Sequence, residues 1–89
     1  MVRVHLLISG QVQGVLYRSF CQKFAISIGL TGWVKNTFDN KVEIVAEGTK
    51  EQLEKLISWT QTGSPYSQVE NVKVGWEEAS GEFKGFEVR

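Results

Sequence analysis

Residues 9–18, SGQVQGVLYR, separate a strand pattern from a helix pattern. Before them, apolar residues occupy every second position, the period of a strand with one buried face. Those positions are Val2, Val4, Leu6 and Ile8. After them, apolar residues recur at the spacing of one helix stripe that ends near Gly29. That stripe contains Tyr17, Phe20, Cys21, Phe24, Ala25 and Ile28. Residues 9–18 are therefore predicted to form a glycine-containing loop that leads from a first strand into a first helix.

Two further strands are predicted from TGWVKNTF, residues 31–38, and KVEIVAE, residues 41–47. Only Asp39 and Asn40 lie between them, and both residue types tolerate a positive φ. We therefore expect a hairpin with a two-residue connection.

The second half of the chain repeats the helix and strand patterns. Thr49 and Gln52 have the spacing of a capping box, which marks the start of a second helix. Its apolar stripe is Leu53, Leu56 and Ile57, and it ends before TGSPYS, residues 62–67. A fourth strand is predicted with Val72, Val74 and Trp76 on one face. A short last strand in KGFEVR, residues 84–89, is predicted to turn Phe86 and Val88 inward.

The order of elements predicts the fold class. A β-α-β-β-α-β order is typical of the α+β, ferredoxin-like split βαβ sandwich, in which two helices cover one face of a mostly antiparallel sheet. The 89 residues suffice for one domain spanning 1–89, with a short C-terminal strand added. This fold serves many functions, so function has to be argued from particular residues.

The composition limits the classes of partner that the protein is expected to bind. Ten basic and ten acidic residues cancel, so no net field favours nucleic acid or an anionic membrane. The one cysteine has no partner for an intrachain disulfide, the N-terminus lacks a secretory apolar segment, and no apolar run has membrane-spanning length. We expect a cytoplasmic protein that needs no second subunit.

The loop has the chemistry of an anion site. A helix N-terminus presents unpaired N–H groups and a partial positive charge. Arg18, in the first helical turn, adds a planar cation that opposes the helix dipole until an anion binds. The alternative is that Arg18 is an ordinary surface arginine.

Asn36 is the second candidate. If Trp33 and Lys35 point to one side of their strand, Asn36 points to the other, together with Val34. A carboxamide among apolar neighbours needs hydrogen-bond partners. Neighbouring main-chain groups are one source of partners, and a ligand in a site is the other.

The two segments together resemble the signatures of the acylphosphatase family. The first, Gly10–Arg18, is similar to Gly-x-Val-Gln-Gly-Val-x-aromatic-Arg, with Tyr17 where phenylalanine or methionine is usual. The second, Gly32–Asn36, is followed by Val42 and Gly48, with Asn40 where glycine is usual. The resemblance extends over nearly the whole chain.

The resemblance implies that the protein hydrolyses small-molecule acyl phosphates to a carboxylate and inorganic phosphate, without a metal or other cofactor. It assigns phosphate binding to Arg18 and orientation of the attacking water to Asn36. It also implies a phosphate cradle made by the main-chain N–H groups of five residues. These are Gln13, Gly14, Val15, Leu16 and Tyr17.

Few other residues offer catalytic chemistry. His5 has no serine, cysteine or aspartate at a triad spacing, and one histidine does not make a metal site. Cys21 lies on the apolar stripe of the first helix and is interpreted as a core residue.

The competing hypothesis is a non-catalytic ferredoxin-like module that binds RNA or a small ligand. An RNA-binding sheet of this fold carries exposed aromatic residues on its first and third strands. The corresponding rows here contain no aromatic residue, and the third strand places Glu43 and Glu47 there. A metal carrier would need a cysteine pair, which the chain lacks.

Overall fold

The computed structural model describes residues 1–89 as five strands and two helices. In chain order they are β1 (Val2–Gln11), α1 (Tyr17–Ser27), β2 (Thr31–Asn36), β3 (Val42–Gly48), α2 (Lys50–Thr62), β4 (Gln68–Glu78) and β5 (Phe86–Val88). The β-α-β-β-α-β order with a short additional strand is confirmed.

The five strands form one mixed sheet in the order β4-β1-β3-β2-β5. All neighbours are antiparallel except β2 and β5, which are parallel. The apolar face of β1 is completely buried at Val4, Leu6 and Ile8, and it packs in one core cluster with residues of both helices. Two helices on one face of a mostly antiparallel sheet confirm the ferredoxin-like fold class.

The prediction of a two-residue connection between β2 and β3 is wrong. The N–H of Thr37 donates to the carbonyl of Lys41 at 2.8 Å, so three residues form the loop, with Asn40 at a φ of 68°. A three-residue loop that ends in a left-handed residue is the next most common hairpin after the two-residue forms. The Thr37 hydroxyl favours this longer loop, because it binds the Asp39 carboxylate and accepts the N–H of Lys41 at 3.0 Å.

The capping box at the start of α2 is confirmed. The Thr49 hydroxyl accepts the N–H of Gln52 at 3.2 Å, and the Gln52 side chain accepts the N–H of Thr49 at 2.8 Å. Gln52 also donates to the carbonyl of Ile28 at 2.7 Å. One side chain therefore begins α2 and fastens it to the C-terminal end of α1.

The inward faces of the last two strands are only partly as expected. Val72 and Phe86 pack in or against the core, but Val74 and Trp76 are about half exposed because β4 is an edge strand. The prediction that Val88 faces the core is wrong. It is 41% exposed, because β5 is a three-residue edge strand that ends at an open cleft beside α1.

The strand directions place the C-terminal ends of three strands at the same end of the sheet. β1 and β2 both pair antiparallel with β3, and β5 runs parallel with β2, so β1, β2 and β5 point the same way. Their last residues therefore lie at the same end of the sheet, where α1 begins. Neither helix is long and apolar enough to cross a membrane.

Candidate active site

The β1–α1 loop contains two residues in the left-handed conformation. Gly14 and Leu16 both have left-handed φ values, 74° and 64°. A Cβ on Gly14 would contact nothing within 4 Å, so glycine is needed there for its conformation and not for space. Leu16 is the N-cap of α1 and makes no side-chain cap.

The N–H groups of this loop and of the first helical turn have no acceptor. From Gln13 to Ser19, none donates a hydrogen bond to a main-chain carbonyl. The first turn of α1 also contains no acidic residue. A run of unpaired donors at the positive end of a helix is the arrangement that binds phosphate in many proteins.

Three side-chain hydrogen bonds hold the loop in place. The Gln13 carboxamide donates to the carbonyls of Thr37 and Lys41, both at 2.8 Å, which ties the loop to the β2–β3 hairpin. On the other side, Ser64 donates to the carbonyl of Val15 at 2.7 Å. These bonds to neighbouring segments fix the conformation of the loop without a ligand.

Tyr17 is the third anchor. Its buried hydroxyl donates at 2.8 Å to the carbonyl of Thr60, in the last turn of α2. Burial raises the pKa of Tyr17, so the phenol stays protonated and remains a donor. Of Tyr17, only the main chain is placed to serve the cradle. Its ring lies in the core, 5.1 Å from that of Trp59.

Arg18 has one hydrogen bond within the protein. Its Nη1 donates to the main-chain oxygen of Arg89 at 3.1 Å. The N–H of Arg89 in turn donates to the carbonyl of Val34 at 2.8 Å, so β2 positions the group that holds the guanidinium. No Asp or Glu side chain pairs with Arg18, and most of its donors are therefore available to a ligand.

Arg18 and Asn36 line the same cleft, which has a volume of about 290 Å³. Its walls are Val12, Gly14, Leu16, Tyr17, Arg18, Ser19, Gln22, Asn36 and Val88. Two of the predicted cradle residues, Gln13 and Val15, are not among the residues that line it. The Gln13 side chain binds the hairpin, and Val15 packs against the core.

The side-chain oxygen of Asn36 is buried and has no hydrogen-bond partner. The alternative interpretation, an asparagine whose carbonyl is satisfied by neighbouring main-chain groups, is therefore wrong. An unpaired buried acceptor is costly, and native structures contain few of them. This one lies in the wall of the cleft that also contains Arg18.

Sequence reasoning did not identify four of the cleft residues, which are Val12, Ser19, Gln22 and Val88. Gln22 follows Arg18 by one helical turn, so helical spacing could have placed it on the same face. It donates to the carbonyl of Phe86 at 2.9 Å and fixes β5 beside α1. Nothing in the sequence distinguishes Val88 from a core valine, because its position depends on how β5 pairs.

Two other residues lie as expected from the sequence. Cys21 is fully buried, and burial raises the pKa of its thiol, which makes it a poor nucleophile. His5 lies outside the cleft and pairs with Glu43 at 2.6 Å. No group of three or more His, Cys, Asp or Glu side chains is arranged to hold a metal ion.

Comparisons with known proteins agree on one family. A family model described as Acylphosphatase matches residues 4–88. A curated acylphosphatase of Pelotomaculum thermopropionicum is 45% identical over 86 residues, which cover 97% of this chain and 94% of that protein.

Two solved structures extend the likeness to the fold. The crystal structure of acylphosphatase from Bacillus subtilis has a TM-score of 0.96 and 35% identity, and the match covers 100% of this chain and 99% of that one. An acylphosphatase structure from Coxiella burnetii has a TM-score of 0.92 and 38% identity, with 99% and 92% covered.

Proposed function

The chain belongs to the acylphosphatase family and hydrolyses the carboxyl–phosphate bond of acyl phosphates, and we propose that Arg18 binds the phosphoryl group while Asn36 orients the attacking water. The observation that carries this assignment is the unpaired Asn36 oxygen in a cleft shared with an arginine that pairs with no Asp or Glu side chain.

The phosphoryl group is held by the cradle and the guanidinium together. Phosphoryl transfer needs little covalent work from the protein, and its barrier falls mainly when charge on the equatorial oxygens is stabilised. The unpaired N–H groups from Gln13 to Tyr17 donate to those oxygens, and Arg18 donates from the side. Since Gln13 and Ser64 already fix the loop, little reorganisation is needed on binding.

The water is held by Asn36. One O–H of the water donates to the free side-chain oxygen, which leaves a lone pair on the water directed at phosphorus. The water oxygen bonds to phosphorus as the bond from phosphorus to the carboxyl oxygen breaks, and the carboxylate leaves with that electron pair. The proton lost by the water passes to a phosphoryl oxygen, so inorganic phosphate is released.

The leaving group explains why so few residues suffice. The conjugate acid of a carboxylate has a pKa of about 4, so the carboxylate departs without being protonated. No general acid is required. Arg18 and the cradle provide the charge stabilisation that a magnesium ion provides in many kinases.

The test is the hydrolysis of benzoyl phosphate in excess chelator by wild type, Arg18→Ala and Asn36→Ala. We expect the wild-type rate to be unaffected by the chelator and both variants to be strongly impaired. A rate that vanished with the chelator and returned with a divalent ion would contradict the mechanism. Near-normal turnover of either variant would remove that residue from its role.

The enzyme is proposed to act as a single-domain monomer in the cytoplasm, without a nucleic-acid partner. Arg18, Asn36 and the start of α1 line one cleft within a single copy of the chain, so the proposed site needs no residue from a second subunit, and the one cysteine is buried and free. Two basic residues on the sheet face away from the helices, Arg3 and His5, pair with Glu47 and Glu43, which leaves them unavailable to phosphate backbones. Light scattering after gel filtration tests this proposal, and a dimer mass would contradict it.

A further inference from the structure

Leu16 combines two unfavourable features at the mouth of the cleft. Its φ of 64° is a left-handed value that a leucine adopts only at an energetic cost. Its side chain is also 59% exposed, although burial in the core would stabilise the fold. The left-handed main chain shapes the cradle, but the exposed side chain does not serve it, because the cradle uses only the main chain of this residue.

Val88 provides a second apolar wall of the same cleft. It is 41% exposed, and the main-chain bond from Arg89 to Val34 together with the Gln22–Phe86 bond holds its strand beside α1. Leu16 and Val88 therefore present apolar surface to the same cleft as Arg18, one from the helix start and the other from β5.

Apart from Arg18, no charged side chain lines the cleft. Arg18 is the one charged residue in its walls, and a phosphoryl group occupies that charge. The nearby Arg89 guanidinium is engaged elsewhere, because it lies 5.3 Å from the centre of the Trp33 ring and pairs with Glu87 at 3.1 Å. No carboxylate lines the cleft to attract a cationic group either.

We propose that Leu16 and Val88 form an acyl subsite that selects acyl phosphates with uncharged, apolar acyl groups. The inference rests on the proposed function, since the acyl group reaches these residues only when the phosphoryl group lies in the cradle. An apolar acyl chain would cover the exposed side of Leu16, and an acyl group with its own carboxylate would be desolvated there without a partner.

The experiment compares kcat/KM for acetyl, butyryl, benzoyl and succinyl phosphate. We expect butyryl phosphate to exceed acetyl phosphate about fourfold, the effect of burying two methylene groups by half. Benzoyl phosphate is expected to exceed both, and succinyl phosphate to be the poorest substrate. These ratios do not depend on how much of a variant is folded, because all substrates meet the same enzyme.

Three variants connect the ratio to the subsite. Leu16→Ala and Val88→Ala should each lower the butyryl-to-acetyl ratio about twofold, and the double variant should bring it near one. Phe38→Ala is the matched control, because Phe38 is fully exposed at the hairpin tip and does not line the cleft. We expect it to keep the wild-type ratio.

The two proposals fail in different ways. If wild type hydrolysed none of the four compounds, the proposed function itself would be wrong. If it hydrolysed them with a butyryl-to-acetyl ratio near one, or preferred succinyl phosphate, the acyl subsite would be overturned while the function stood. A ratio unchanged in the double variant, or lowered equally by Phe38→Ala, would overturn it as well.

Discussion

Arg3 and Arg18 have opposite surroundings, and the contrast distinguishes a cluster that stabilises the fold from the cleft that we propose binds a ligand. Arg3 donates to Glu47 at 2.7 Å, to Ser80 at 2.6 Å and to Glu82 at 2.7 Å. Arg18 has one hydrogen bond, to a main-chain oxygen at 3.1 Å, and no ion pair.

The acceptors beside the two arginines differ in the same way. Glu47 is only 3% exposed, yet it accepts the N–H groups of Ser80 at 2.9 Å and Gly81 at 3.0 Å in addition to Arg3. Beside Arg18, the buried oxygen of Asn36 accepts nothing. Buried polar groups in native proteins are normally paired, so we interpret the complete cluster as structural and propose that a ligand completes the other one.

Removing Arg18 should have the largest effect on function. Arg18→Ala deletes the charge that we propose holds the phosphoryl group in both ground and transition states, so kcat/KM is expected to fall about a thousandfold or more, with phosphate affinity falling too. Stability should change little, because only one hydrogen bond is lost. Steady-state kinetics and phosphate inhibition measure the first effect, and urea unfolding measures the second.

Arg3→Ala is the matched control, because it removes the same side chain from the complete cluster. We expect it to keep kcat while lowering the free energy of unfolding, since Glu47 then loses its cation. If Arg3→Ala abolished turnover, or Arg18→Ala unfolded the protein, the division between the two regions would be incorrect.

Asn36→Ala should lower kcat about a hundredfold, because the attacking water loses the acceptor that orients it. Phosphate should still bind, since the cradle and Arg18 remain. The variant should be at least as stable as wild type, because an unpaired buried acceptor has been removed. A marked loss of stability would show that the side chain has structural partners and would count against its catalytic role.

Glu47→Gln should reduce stability by about 2 kcal/mol, because it weakens several charge-assisted hydrogen bonds. Burial alone would raise the pKa of Glu47, but the N–H groups of Ser80 and Gly81 and the Arg3 guanidinium bind the ionised form and hold the pKa below its ordinary value of 4.5. Turnover should not change. Urea unfolding of both proteins at neutral pH measures the difference.

The same substitution should alter the pH dependence of stability. Since the pKa of Glu47 is lowered by folding, the unfolded chain takes up its proton first as the pH falls. The stabilisation is therefore complete above about pH 4.5 and is lost as the pH falls through the native pKa. Glu47→Gln should flatten this part of the profile. A profile identical to that of wild type would show that Glu47 is not the titrating group.

Tyr17→Phe should have the smallest effect, a loss of about 1 kcal/mol. It removes the hydroxyl that satisfies the carbonyl of Thr60 at the end of α2 and leaves the ring packing in place. Although Tyr17 belongs to the cradle, its side chain behaves like the Arg3 cluster, with all of its bonds inside the protein. Thermal unfolding checks the prediction, and an unchanged midpoint would contradict it.

Periodicity and capping were enough to predict the order of elements and the fold class. The alternation in β1 and the capping box of Thr49 and Gln52 are local patterns that the structure retains. The hairpin loop was not predictable in the same way. Its length depends on whether Thr37 pairs with Lys41, and a competing two-residue turn at Asp39 and Asn40 had equally suitable residues.

The candidate site was predictable where its residues lie in motifs and unpredictable where pairing between distant segments places them. Arg18 and Asn36 were singled out from the sequence, and the fold brings both to one cleft. Val88 reaches the cleft only because β5 pairs with β2. The Arg3–Glu47 cluster was missed for the same reason, since the loop carrying Ser80 and Gly81 closes over the sheet from far along the chain.

The most direct test of the contrast is a titration of inorganic phosphate into ¹⁵N-labelled protein in excess chelator, followed by amide NMR. The account predicts saturable shifts of the main-chain N–H resonances from Gln13 to Tyr17 and of the Asn36 side-chain amide, with Ser80 and Gly81 unchanged. Arg18→Ala should abolish the shifts. Saturable shifts centred on the Arg3 cluster, or loop resonances that stay fixed in wild type at saturating phosphate, would contradict it.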